Sequence, residues 1–472
     1  MLSLINLSNQ KDDYIYRQIY KQIKKEILLN HFLPNEKLPS KRELAESLHV
    51  SINSVNGAYQ QLLAEGYIYS VERSGFFVEK LEKVPTPFST LKPLNPNLVE
   101  RSEPKKDWIS FSHMSADRSV FPFDSWLNCE HKALKSKRTE LNDDSSRYPQ
   151  GIYSVRCTIS RLLSITRGVK CYPEQIVIGG GTQILIQILS HLFPEGSKYA
   201  MEEPGYSRIY QLLKLQHADV TSIELDHKGI AISEIIKQDP NILYITPSHQ
   251  FPTGIVMPIS RRIQLLNWSS QAKNRYIIED DYDSEFKYQS DAIPSIQGLD
   301  TFDKVIYMGT FSKSLLPGLR ISYMVLPRHL LQSFRESEGF LMQTCNVLAQ
   351  LALQEFIDSG EYQKHIKRMK QIYSERQTRL IKELNGRFGK NIAIHGANAG
   401  LHFMCTFKAE RSIEDILNRA EQKKLELYSI KRCCLTHYHP SKKPVFILGF
   451  ANLPLERIEE GVDRLYRSVI GP

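Results

Sequence analysis

Isoleucines at 15, 19, 23 and 27 recur every four residues, so the spacing predicts an amphipathic helix that buries one stripe. Leu38-Pro39 interrupts the chain. Ser40-Lys41-Arg42-Glu43 then reads as a capping box, the serine hydroxyl taking the Glu43 amide while the glutamate reaches back. Leu44, Ala45 and Leu48 give the short helix that follows an apolar side. His49-Val50 makes a tight turn, and Ser51 caps a third helix whose Val55, Tyr59, Leu62 and Leu63 point inward and which Gly66 ends. Tyr67 to Val71 and Phe76 to Val78 flank Glu72-Arg73-Ser74-Gly75, the pattern of a β-hairpin. Two short helices joined by a tight turn, with a hairpin behind them, predict a winged helix-turn-helix (α+β) over residues 1–79.

The pattern dissolves between residues 80 and 107, where prolines stand at 85, 87, 93, 96 and 104 among many charges; this reads as an extended, semi-stiff linker. From Trp108 to Pro472 short apolar runs alternate with helical periods, which predicts an α/β domain with a largely parallel sheet. A length of 472 residues suits about three compact units. Hydrophobic residues at 41% and charged residues at 24% exclude wholesale disorder and rod-like repeats. No apolar run reaches the roughly eighteen residues of a membrane helix, and Met1 to Asp13 does not read as a signal peptide. Seven cysteines without a C-x-x-C argue against a disulfide framework or a metal site and for a cytoplasmic protein.

The exposed start of the third helix offers Ser51, Asn53, Ser54 and Asn56, which can bond phosphates and base edges. Helix-turn-helix units also occur as plain helical packing, so the pattern alone leaves both readings open. "LPSKRELAESLHVSINSVNGAYQQLLAEGY" followed by "SGFFVE" resembles the GntR-type winged helix across residues 14–79. That resemblance implies double-stranded DNA contacts for Arg42, Ser51, Asn53 and Ser54, with Gly75 shaping the wing. One position departs from it: where the family commonly has arginine after the capping serine, this chain has Ile52.

In the large zone, "KVIYMGTFSKSLLPGLRISY" places Lys313 just past a β-like run, where a partly desolvated amine can condense with an aldehyde cofactor. Thr310 and Ser312 offer hydroxyls to a phosphate, and Arg320 a charged fork. "YIIEDDYDSEF" ends a buried strand in acids. There Asp280 can keep a pyridine nitrogen protonated, and Tyr282 can donate to a phenolic oxygen. "IVIGGGTQILIQIL" is a strand, a glycine turn and an apolar helix, whose amides at Gly181, Thr182 and Gln183 would meet a phosphate. Tyr206 in "YAMEEPGY" can stack on a cofactor ring. Taken singly, each piece has a plain alternative: a solvated lysine, a loop acid, an ordinary turn, a packing tyrosine.

Their order, together with "YPQGIYSVRCTISRLLSITRGV" and "TPSHQFPTG", resembles the fold-type-I aminotransferases from Trp108 to about Pro472. The resemblance implies pyridoxal 5'-phosphate as cofactor. Lys313 would carry the aldimine, Asp280 pair the pyridine nitrogen, Tyr282 contact the ring oxygen and Tyr206 stack. Thr310, Ser312, Arg320 and the 181–183 turn would hold the phosphate. Phe251 departs from the pattern, which usually has asparagine before the P-T-G. Arg432 in "LYSIKRCCL" resembles the aminotransferase arginine that pairs with a substrate carboxylate, with Lys431 beside it as an alternative register, and Arg208 offers a second positive end.

A GntR-like reader joined by a linker to an aminotransferase-like domain is the layout of the MocR regulators, and the chain resembles their GABA-responsive, GabR-like members over its whole length. That resemblance implies a head-to-tail homodimer and a GABA-like amino-acid effector sensed as an external aldimine. It also implies activation of amino-acid utilisation genes with repression of the regulator's own gene, and no catalytic residues as such. A true aminotransferase with an accessory DNA-binding domain is the alternative.

The net charge of +9 does not belong to the reader. Residues 1–80 hold ten Lys and Arg against nine Asp and Glu, whereas nine bases stand between Lys364 and Lys390 with only Glu375 and Glu383 beside them. That stretch predicts a long helix, Ile366 to Leu384, with either a solvated basic face or a second contact to DNA phosphates.

Overall fold

The computed structural model describes residues 14–82, 94–99, 107–113, 117–142, 149–288, 294–436 and 443–471. The leader reading at 1–13, the linker prolines 85, 87, 93 and 104, and Tyr148 of the "YPQG" motif lie outside them. The chain divides into two compact units, Met1–Pro104 and Lys105–Pro472.

In the first unit, helices Ile15–Leu28, Lys41–Leu48 and Ile52–Ala64 precede strands Ile68–Val71 and Gly75–Val78. The first helix buries Ile19, Ile23 and Ile27, but Ile15 is 47% exposed, against the expectation of a four-residue stripe. Each four-residue step turns the side chain by about 40° on a 3.6-residue helix, so Ile15 cannot share a face with Ile27. The capping box forms: the Glu43 amide donates to Ser40 Oγ at 3.2 Å and the Ser40 amide to the Glu43 carboxylate at 2.8 Å. His49 takes a left-handed conformation (φ 52°) to make the turn. The hairpin pairs Ile68 with Val78 and Val71 with Gly75. It is locked to the helices through Phe76, which meets Tyr59 edge-on at 5.0 Å, while the Tyr59 hydroxyl donates to the Pro39 carbonyl at 2.8 Å. Truncating a buried core residue such as Leu62 would cost about 2–5 kcal/mol.

The second unit is built on an eight-stranded sheet. Its strand order is Ile176–Gly179, Ser322–Val325, Val305–Thr310, Tyr276–Asp281, Ile242–Ile245, Lys198–Glu203, Asp219–Asp226 and Gly229–Ile230. The five from Val305–Thr310 to Asp219–Asp226 run parallel, and Ser322–Val325 lies antiparallel to both its neighbours. Ile242–Ile245 and Tyr276–Asp281 are buried at every position, which is why the first and the opening of the second read as apolar runs and not as alternation, the second ending in three buried acids. In such sheets ligands gather outside the carboxyl ends of the strands. Asp280, Tyr206 and Lys313 all sit at or just beyond those ends.

The long helix, Glu361–Phe388, runs a turn further at each end than the charge pattern suggested. It leads to a four-stranded antiparallel sheet of Ile392–His395, His402–Phe407, Val445–Gly449 and Tyr428–Ser429. Helices Ile413–Gln422 and Ile458–Val469 close that sheet over a core containing Phe403, Phe407 and Phe446. Among the nine bases, Arg376 pairs with buried Asp117 at 2.6 Å, Lys364 with Glu361 at 2.8 Å, Arg379 with Glu383 at 3.0 Å, and Arg387 with Asp463. Lys367, Arg368, Lys370, Lys382 and Lys390 are exposed.

Candidate functional site

A cleft of about 320 Å³ lies at the strand ends of the larger unit. Its walls carry all ten of the residues that the sequence marks for a cofactor: Lys313, Asp280, Tyr282, Tyr206, Gly181, Thr182, Gln183, Thr310, Ser312 and Arg320.

Asp280 is 4% exposed, and the Tyr244 hydroxyl donates to its Oδ2. Its Oδ1 is buried and has no hydrogen-bond partner among the described residues. Burial raises the Asp280 carboxyl to about 7, and Asp281 and Asp283 push the same way. A buried carboxylate with one unsatisfied oxygen is complementary to a cationic ring N–H. That orphaned atom supports a protonated pyridine nitrogen at this place.

The Lys313 amine donates to the His113 carbonyl at 3.0 Å, and desolvation lowers it to about 8, so a useful fraction is unprotonated near neutrality. Gly181 sits at the N-terminus of helix Thr182–His191 with φ +135°, and a side chain there would strike Arg320, its Cβ only 2.1 Å from Nη2. Glycine is therefore required for the guanidinium to lie against the helix N-terminus, where free amides and a cation converge on one anion. Arg320 Nε also donates to the Gly180 carbonyl at 3.2 Å. Thr310 Oγ1 accepts from the Ser312 amide at 3.1 Å and from the Ser322 hydroxyl at 2.8 Å, which fixes the lysine-bearing turn. This set of groups fits pyridoxal 5'-phosphate: a half-satisfied buried acid, a desolvated amine, and a helix N-terminus with a guanidinium against it.

Tyr206 meets Phe251 edge-on at 5.8 Å, so the departure at 251 forms an aromatic wall of the cleft. Arg208 lines the cleft, whereas Arg432 does not line it: its guanidinium is exposed and lies over the Tyr428 ring at 5.4 Å. Lys431, the alternative register, pairs with Glu414 at 3.0 Å. The segment carrying Arg432 is tied to the sheet by Glu203, whose carboxylate accepts from the Leu435 amide at 3.0 Å and the Thr436 amide at 3.1 Å.

Sequence reasoning missed His113, Thr246 and Ser322 on the cleft wall. His113 is driven to about 3 by burial and by Lys313, Arg208 and Arg432, so it stands there as a neutral imidazole. It comes from an extended stretch with no periodicity, and nothing local marks it. Tyr244 was also missed, hidden in an apolar run.

In the smaller unit, Arg42, Ser51 and Asn53 are exposed, and Ser54 and Gly75 are partly so. Ser51 Oγ accepts from the Ser54 amide at 3.1 Å and lies 2.9 Å from the Ser54 hydroxyl, so both serines are engaged in the cap. Lys41, which the sequence did not single out, donates to Asn56 Oδ1 at 2.6 Å and lies over the Phe76 ring, joining the second helix to the third and to the wing. Ile52 is 49% exposed on this face.

Residues 118–465 match the family described as aminotransferase class I and II, and residues 15–78 match the bacterial regulatory proteins of the gntR family. The chain is 38% identical over 459 residues to the uncharacterized HTH-type transcriptional regulator YdeL of Bacillus subtilis, covering 97% of each chain. It is 32% identical over 477 residues to the probable rhizopine catabolism regulatory protein MocR of Rhizobium meliloti, covering 98% of this chain and 95% of that one. Among solved structures, the kynurenine aminotransferase of Pyrococcus horikoshii superposes with a TM-score of 0.68 at 22% identity, over 79% of this chain and 96% of that one, a likeness of fold.

Proposed function

The chain belongs to the MocR-type regulators, GntR-headed chains with an aminotransferase class I and II domain, and from that premise we propose a cytoplasmic, ligand-responsive transcription factor whose effector is an amino acid of GABA type. The observation that carries the reading is the pairing, in one cleft, of a desolvated Lys313 with a half-satisfied buried Asp280, on a chain whose head is a helix-turn-helix. Pyridoxal phosphate supplies an electrophilic aldehyde that captures primary amines.

The protein's own groups do the rest. Asp280 would hold a proton at the cofactor's ring nitrogen, Tyr282 would donate to its ring oxygen and Tyr206 would cover the ring. The 181–183 amides, Thr310, Ser312 and Arg320 would hold its phosphate, and Lys313 would offer the amine that meets its aldehyde. Arg208 on the cleft wall would take the effector's carboxylate, with Arg432, which lies outside the cleft over the Tyr428 ring, as the other candidate. An effector shifts the DNA-bound state only by its different affinity for two arrangements of the chain, and a Lys313 amine freed to donate to the His113 carbonyl would be one such difference.

Arg42, Ser51, Asn53, Ser54 and Gly75 form the promoter-facing surface, on which the duplex is held through phosphates and read in the major groove. A head-to-tail homodimer would supply two such readers for two half-sites. Exposed Phe340 (77%) and Met342 (63%), close to the Thr344 side chain that bonds the Gly180 amide, support a contact beside the cleft. Within this reading the effector activates amino-acid utilisation genes, and the chain represses its own.

The test is a titration of the cofactor-loaded protein with GABA and a panel of α-amino acids, followed by absorbance and by promoter binding. A spectral change with one compound, coupled to altered promoter affinity, is the expected result; a spectrum and a promoter affinity that GABA leaves unchanged at saturating cofactor would overturn GABA sensing. The complete cleft favours the aminotransferase reading as an alternative. Steady consumption of an amino donor with an α-keto acid would establish it.

A further inference from the structure

Phe251 puts a ring where the aminotransferase pattern has an asparagine, and so removes a donor from the ring-oxygen side of the cleft. The groups packed around it form a buried network. The Tyr282 hydroxyl donates to the His249 carbonyl at 3.0 Å and also lies 3.0 Å from His249 Nδ1. The same Nδ1 is 2.9 Å from Asp283 Oδ2, and both side chains are 1% exposed. An ionised carboxylate only accepts, so the network assigns the hydrogen of His249 to Nδ1. Its Nε2 is then the bare nitrogen, in keeping with that atom's lack of a hydrogen-bond partner among the described residues. The Nδ1 hydrogen is shared between Asp283 and the tyrosine oxygen, so the phenol keeps its own hydrogen, which rests on the His249 carbonyl and can rotate from there to an acceptor in the cleft.

The network depends on a close approach of backbone. Gly400 has φ +73°, and a Cβ there would lie 2.1 Å from His249 Cε1 and 2.5 Å from Asp283 Oδ2. The charged groups acting on Tyr282 are Asp283, Asp280, Glu202 and Asp281. Together with burial they hold its phenol well above the usual tyrosine range, so it stays a donor. His402, the other neighbour of His249 at 4.8 Å between ring centres, is kept neutral by burial and by the adjoining His249, His113 and Lys313.

We propose that His249 and Asp283 are positioning residues that hold the Tyr282 hydroxyl as the donor to the cofactor's ring oxygen, in the role that the asparagine replaced by Phe251 would otherwise share. The proposal rests on the cofactor reading above. A donor at that oxygen favours its anionic form and so lowers the pH midpoint of the visible band of the loaded protein; removing the donor raises it.

The experiment is a pH titration of that band in the wild type and in Tyr282→Phe, Asp283→Asn, His249→Gln and the Tyr282→Phe/Asp283→Asn double variant, with melting temperature and half-site DNA binding checked for each. Tyr282→Phe should raise the midpoint by about one to two pH units. Asp283→Asn and His249→Gln should raise it by part of that amount, and the double variant should match Tyr282→Phe alone. Midpoints of Asp283→Asn and His249→Gln equal to wild type, or shifts that add in the double variant, would overturn the proposal. A wild-type chain with no visible band would overturn the cofactor reading itself, whereas a band whose midpoint these two variants leave unmoved overturns only the positioning role.

Discussion

The two units solve opposite electrostatic problems. In the reader, acidic groups sit at the surface and are stabilised by partners: Glu65 is drawn down to about 2 by hydrogen bonds from Gln61, Lys24 and Tyr20, and Glu43 is lowered by the Ser40 amide and hydroxyl. In the cofactor unit, burial dominates, and Glu202, Glu279, Asp280 and Glu285 are each raised to about 7. A surface that reads DNA needs its polar groups available to a polyanion, so they are held in place by local caps. A cleft that receives a charged cofactor needs charges that are unsatisfied until it arrives. The first arrangement comes from neighbours in sequence, the second from elements far apart.

The largest test of this contrast is Lys313→Ala. It should abolish the visible cofactor band and any effector response while leaving half-site DNA affinity within about twofold; a collapse of half-site binding would break the separation of roles. Next is Gly181→Ala. Its Cβ would strike Arg320 in a backbone conformation unfavourable to L-residues, so phosphate-dependent cofactor affinity should fall about ten- to a hundredfold, read by equilibrium dialysis. An unchanged affinity would mean that the turn does not hold the phosphate.

The third test is pH. Carboxyls with depressed folded-state values stabilise the reader above their unfolded range, and the reader should lose that stability as pH falls from about 4.5 towards 2. Carboxyls with raised values bind more protons folded than unfolded. The cofactor-free larger unit should therefore lose stability as pH rises from about 4 to 7, and cofactor should lessen that slope by pairing Asp280. Denaturant melts across this range, followed by a probe in each unit, should give slopes of opposite sign; parallel slopes would contradict the contrast. The smallest effect expected is from Ile52→Arg, which adds a cation to an exposed position at the start of the third helix. It should tighten promoter binding a few-fold and steepen the salt dependence by about one ion. No change in the salt slope would place residue 52 away from the phosphates.

This contrast also explains what was legible in the chain. The capping box at Ser40 and the cap at Ser51 involve residues three apart, so a reader of sequence sees both partners at once. The residues that the structure gathers in the cleft were legible because they stand near strand ends or a glycine turn, and their order along the chain carries the family resemblance. His113 and Tyr244 were not, since their importance arises from contacts with Lys313 and Asp280, 200 and 36 residues away. Ile15 was misread because a four-residue repeat is a poor ruler for a 3.6-residue helix. The basic stretch at 364–390 was seen correctly as charge, but its ion pairs with Asp117 and Asp463 come from elsewhere in the chain.

The unsatisfied oxygen of Asp280 also bears on the life of the protein in a cell. A ligand that completes this site adds RT ln(1 + [L]/Kd) to the stability of the fold, about 2.7 kcal/mol at a hundredfold excess over Kd. That lowers the unfolded fraction open to proteases by about two orders of magnitude. Proteostasis would thus tie the abundance of the regulator to the supply of its cofactor, so that starvation for the cofactor thins the population of the regulator itself.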